Sequence, residues 1–129
     1  MKKYQIIIGE FSSDPPKRHE INAAKILLNF FKADITFLRP SFGKTPDFLI
    51  NAELWELKSP KGSSKNTIGN NIHQAKRQSK NIIIDLSRCN FTKEKAIQNI
   101  GEYIKKYPKN IKKIIVITKS KEVLTIYQI

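Results

Sequence analysis

The sequence predicts a mixed α/β fold: one central β-sheet flanked by helices, in a single domain spanning residues 1–129. Three observations predict it. Short runs of Ile, Val, Leu and Phe recur along the chain, as buried strands require. Between several of them lie longer stretches with apolar residues every three or four positions, the helical spacing. The 129 residues are 40% hydrophobic and 27% charged, which suits one compact core and argues against disorder.

The elements follow in order. "YQIII" (4–8) reads as a buried strand. "SSDPPKRHE" (12–20) is a turn running into a helix, with Pro15 and Pro16 suited to its first turn. "HEINAAKILLNFFKA" places Ile21, Ala24, Leu27, Leu28 and Phe31 on one helical stripe. "ITFL" (35–38) is a strand and "RPSFGKT" (39–45) a loop. "DFLI" (47–50) and "ELWELK" (53–58) form a hairpin around Asn51 and Ala52. "SPKGSSKN" (59–66) reads as a flexible basic loop. The stretch 66–79 carries Ile68, Ile72, Ala75 and Ser79 at helical spacing on a polar background. "NIIIDL" (81–86) is a buried strand. "TKEKAIQNIGEYIKKY" (92–107) is an amphipathic helix capped by Thr92. "KIIVIT" (113–118) and "VLTIY" (123–127) close the sheet.

The charge balance narrows the function. Twenty-four Lys and Arg against 11 Asp and Glu give a formal +13. A field of that sign favours a polyanionic partner such as nucleic acid or an anionic membrane. The alternative is the codon bias of an AT-rich genome, since 20 of the basic residues are lysine. One cysteine, Cys89, excludes an internal disulfide, and with two histidines a Cys/His zinc site is not expected. The N-terminal apolar run is too short for a signal-peptide core or a membrane span.

The chemistry concentrates at the hairpin. Side chains alternate along a strand, so Glu56 and Lys58 share a face. Antiparallel pairing lays Asp47, at the start of one strand, beside the far end of the other. Two carboxylates and an ammonium then meet. Two such carboxylates make a hard oxygen site for Mg²⁺ or Mn²⁺, to which the Leu57 carbonyl can add a further oxygen. A metal there activates water and offsets charge on a phosphate, with Lys58 orienting the water or stabilising the transition state. The plainer alternative is an exposed salt bridge between Glu56 and Lys58. Glu20 falls in line with the apolar stripe of the first helix, where a carboxylate is costly unless paired or ligating; its place in the first turn also suits the helix dipole.

"PD" at 46–47, followed by "ELK" at 56–58, resembles the PD-(D/E)xK nuclease superfamily. The order helix–strand–strand–strand–helix–strand from 17 to 86 is that of its restriction-endonuclease-like core. "TPDFLINAELWELKSPKG" followed by "HQAKRQSKNIIIDL" is similar to the C-terminal nuclease domains of contact-dependent growth inhibition and related polymorphic toxins, over about His19 to Ile117. The resemblance implies a metal-dependent nuclease acting on RNA, with tRNA as a frequent target. Asp47 and Glu56 would hold the metal, Glu20 would join them, and Lys58 would serve the attacking water. It also implies that the helix after the ExK strand supplies a polar residue to the site, which points to Gln74 and, nearer the next strand, Gln78. Lys76 and Arg77 on that helix, and Lys61 and Lys65 in the preceding loop, are placed to contact phosphates; a solvated polar face is the alternative. A cognate immunity protein, and delivery into a target cytoplasm as part of a larger toxin, are implied likewise. The opening Met1 departs from that pattern and fits an excised domain, a stand-alone chain or a mobile-element protein. Two rivals remain: a DNA endonuclease of a phage or mobile element, and a nucleic-acid-binding module without catalysis. Trp55, alternating with Glu56, faces the opposite side of the sheet as core.

Overall fold

The computed structural model describes residues 3–9, 15–38 and 45–129. They form seven strands and three helices: β1 (Ile6–Ile8), α1 (Arg18–Phe31), β2 (Ile35–Phe37), β3 (Phe48–Ile50), β4 (Glu53–Lys58), α2 (Thr67–Ala75), β5 (Asn81–Asp85), α3 (Lys93–Lys106), β6 (Lys113–Ile117) and β7 (Val123–Gln128). The strands make one mixed sheet in chain order from β1 to β7. β4, β5 and β6 run parallel, as do β1 and β2, while the β2–β3, β3–β4 and β6–β7 pairs are antiparallel. Each parallel neighbour is reached through a helix, as a crossover requires. The expected mixed α/β sheet and the helix–strand–strand–strand–helix–strand order are both present. Most of the expected loop 39–45 lies outside the described residues.

Helices cover both faces. On one, Ala23, Ala24 and Leu27 of α1 pack on Ile35, Phe48, Trp55, Leu57, Ile83 and Ile115. On the other, Ile68, Ile72 and Ala75 of α2 and Ala96 and Ile100 of α3 cover Ile82, Ile84, Ile114 and Val116. The central strand β5 is buried from end to end, which is why it reads as an uninterrupted apolar run. Trp55 is buried and meets Phe31 edge to face, as its alternation predicts.

Three expectations need correction. β1 is an edge strand, and its Ile7 and Ile8 are exposed; an apolar run alone does not report whether a second face is covered. α2 ends at Ala75 instead of Ser79. Beyond it the backbone tightens, with the Arg77 N–H donating to Gln74 O and the Gln78 N–H to Ala75 O. Ser79 Oγ donates to Leu54 O at 2.8 Å and accepts the Asn81 N–H, which draws the chain out of the helix and into β5. The basic loop 59–66 is anchored midway, because Gly62 bridges Cys89 and its carbonyl accepts the Asn90 N–H. Cys89 itself is buried. Thr92 caps α3 as expected, its hydroxyl accepting the Lys95 N–H at 3.1 Å.

Candidate active site

The hairpin turn sets the site. Asn51 and Ala52 both adopt positive φ, 51° and 62°, the conformation of the two-residue turns that match strand twist. This fixes the register Phe48↔Trp55 and carries Asp47 level with Glu56. Asp47 Oδ2 accepts the Leu57 N–H at 2.8 Å, which locks the carboxylate against β4. Glu56 is buried, and Lys58 Nζ lies 3.4 Å from its Oε2. The pairing of Glu56 with Ile82 and of Lys58 with Ile84 turns both side chains toward the α2–α3 side of the sheet.

The electrostatics differ from those of an exposed ion pair. Burial, reinforced by the adjacent Asp47 carboxyl, pushes the Glu56 pKa up to about 8, and Lys58 only partly offsets this. Burial also raises Asp47, against the bonds it receives from Glu56 and from the Leu57 N–H. The contact between the two carboxyls favours the neutral form of Glu56 and the ionised form of Asp47. Glu56 Oε1 is a buried oxygen with no hydrogen-bond partner among the described residues. Two carboxyl groups in contact, one carrying an orphaned oxygen, call for a proton or a cation between them. They fit a hard divalent ion, with Asp47 and Glu56 as its carboxylates.

Glu20 has a different place. It is the third residue of α1, and its Oε1 accepts the Lys17 N–H at 2.7 Å as a helix cap. Its charge still raises the Asp47 pKa, so the first turn of α1 stands at the edge of the site. No group of three carboxylates, imidazoles or thiols converges to hold a metal among the described residues. Gln78 lies in the turns after α2, next to Ser79 at the Leu54 end of β4, and its side chain makes no hydrogen bond to Asp47, Glu56 or Lys58 among the described residues. Gln74 and Arg77 are exposed, as are Lys61 and Lys65. Lys76 is half-buried against two tyrosines of α3.

A second group at the same edge was not singled out from the sequence. Asp85 is buried at the end of β5, where it accepts the Ser87 N–H at 3.0 Å and lies 3.5 Å from Ser59 Oγ. Arg88 donates to the Ser59 carbonyl, one residue beyond Lys58. His19 feels Arg88, Glu20 and Asp85; burial and Arg88 lower its pKa more than the two carboxylates raise it. A lone aspartate ending an isoleucine run was the available signal.

Comparison with known proteins adds the following. The family profile described as "Contact-dependent growth inhibition CdiA C-terminal domain" matches residues 44–123. A solved structure, the "CdiA-CT/CdiI toxin and immunity complex from Burkholderia pseudomallei", is similar at a TM-score of 0.63 and 23% identity, covering 94% of this chain and 97% of that chain. At that identity the likeness shows a shared fold. The comparison with curated proteins produced no match. No described helix is long and apolar enough to cross a membrane.

Proposed function

Because the chain belongs to the family of CdiA C-terminal domains, the toxin domains of contact-dependent growth inhibition, we propose that it kills by hydrolysing RNA at Asp47, Glu56 and Lys58. One observation carries this reading: a buried Glu56 pressed against Asp47, with a lysine 3.4 Å away, at the "PD…ELK" spacing of the PD-(D/E)xK nucleases. A structural ion pair needs one carboxylate per cation and gains little from a second that must be kept protonated.

Asp47 and Glu56, both ionised, would hold Mg²⁺ or Mn²⁺, with Glu20 nearby to bond its water. The ion would supply a water of lowered pKa and offset charge on the scissile phosphate. The Leu57 N–H holds the Asp47 carboxylate in one orientation. Burial of Glu56 excludes bulk water from its side. Lys58, partly exposed beside Glu56, would direct its ammonium at the attacking water or a phosphate oxygen as the P–O bond breaks. Gln78 and Gln74, carried by the superfamily resemblance, would serve the strand beyond the reacting phosphate. The +13 charge draws in the polyanion, and Lys61, Lys65, Lys76 and Arg77 meet its backbone.

In this reading tRNA is the substrate, the target cytoplasm the place of action, and a cognate immunity protein the guard; the similar solved complex pairs a toxin with an immunity protein. The substrate test is direct. Total RNA and plasmid are incubated with the chain and Mg²⁺, and tRNA bands should vanish before any nicking appears. Plasmid nicking with tRNA intact would transfer the activity to DNA.

A further inference from the structure

A pocket of about 510 Å³ lies between α2 and α3, and the site described above does not use it. That volume is in the range of clefts that seat small ligands. Tyr103 and Tyr107 form one wall, their ring centroids 5.1 Å apart and their planes at 42°. Lys76 Nζ sits over both rings, 5.1 Å and 5.7 Å from the centroids. Gly69 of α2 faces the Tyr103 ring, and a Cβ there would stand 3.4 Å from Tyr103 Cδ2, in van der Waals contact. His73 Nδ1, 3.4 Å from the Tyr103 hydroxyl, steadies that ring. Tyr107 is left as the open platform, 55% exposed.

The rest of the lining is polar in a particular way. Asn66, Asn70 and Asn99 contribute amides, which both donate and accept. Asn99 Nδ2 is buried and has no acceptor among the described residues. Lys65, Lys76 and Lys106 face a single carboxylate, Glu102. A flat aromatic platform, amides beside it and an excess of ammonium groups suit a planar base joined to a phosphate. An acidic peptide would use the lysines but not the open ring.

The location suits the same ligand. Glu56 and Lys58 point to the side of the sheet that α2 and α3 cover, and the loop 59–66 that follows Lys58 ends with Lys65 and Asn66 in the pocket lining. We propose that the pocket seats one unpaired nucleotide of the RNA strand, its base stacked on Tyr107 and its phosphate against Lys65 and Lys106. This rests on the RNA-hydrolase reading and adds the strand's path to it.

The test uses the full chain carrying Glu56→Gln, so that RNA is bound but not cut. Affinity is measured for a labelled single-stranded oligoribonucleotide and for adenosine monophosphate, with and without Tyr107→Leu or Tyr107→Trp. Tyr107 is exposed enough for both changes to leave the fold intact, which circular dichroism checks. Tyr107→Leu should weaken the oligonucleotide about ten-fold, the effect of losing one stacked base, and Tyr107→Trp should restore it. The mononucleotide should bind far more weakly than the strand. Equal affinity of Leu and Trp chains for the oligonucleotide overturns the inference alone. Mononucleotide binding as tight as that of the strand assigns the pocket to a free nucleotide and overturns it as well. Failure of every chain to bind RNA overturns the hydrolase reading together with it.

Discussion

Glu56 is where structure and chemistry conflict most. Its pKa is raised to about 8 in the folded chain, above the ordinary carboxylate value. A group raised by folding favours the folded state fully below its unfolded pKa, and that advantage is lost as pH rises through the folded value. The metal-free chain should therefore lose stability between about pH 5 and pH 8, readable as a falling melting temperature. Glu56→Gln, which cannot ionise, should flatten that slope and melt above the parent at pH 8, with the gap closing near pH 5. A Gln variant whose melting temperature tracks the parent across this range would show that Glu56 titrates normally. Lys58 pulls the Glu56 pKa down, so Lys58→Ala should carry the same decline to higher pH. In cleavage it should cost roughly 100-fold in turnover, the scale of losing one preorganised electrostatic group. A variant that cuts at the parental rate and only binds less well would reduce Lys58 to part of the basic surface. The juxtaposition of Asp47, Glu56 and Lys58 was legible in the sequence because strand alternation and hairpin pairing are simple arithmetic. Asp85 escaped because its meaning depends on Ser59 and on the segment after β5, which approach only in the fold.

At the scale of elements, the β3–β4 hairpin bears the geometry, and its turn is not optimal. Ala52 holds φ 62°, a conformation that costs a residue with a Cβ about 1 kcal/mol or more, whereas Asn-Gly is the favoured pair for such turns. Ala52→Gly should raise stability by about 0.5–1 kcal/mol after the added freedom of the unfolded chain is counted. Urea titration measures it; a loss of stability would mean that the turn is not set by backbone sterics. The hairpin, α1 and α3 could be read from the sequence because their signals are local: alternation, periodicity and a Thr92 cap. The end of α2 could not, since Ser79 leaves the helix to bond Leu54, a residue 25 positions away. Nor could the exposure of β1, which depends on its place at the sheet edge. The Tyr103–Tyr107 pocket needs α2 beside α3, and no local pattern states that adjacency.

Across the whole molecule, the formal +13 creates a field that favours a polyanion. RNA affinity should fall steeply with salt, and Lys61→Ala or Lys65→Ala should each lower the log–log slope by roughly one. Slopes unchanged in both variants would remove loop 59–66 from the interface. Cleavage of labelled tRNA by the purified chain tests Asp47 and Glu56 as a cation-dependent hydrolytic site. Cleavage is expected with Mg²⁺ or Mn²⁺, none with excess chelator, and none from Asp47→Ala or Glu56→Ala chains that remain folded. Cleavage that persists undiminished in chelator, or in either folded variant, would contradict it.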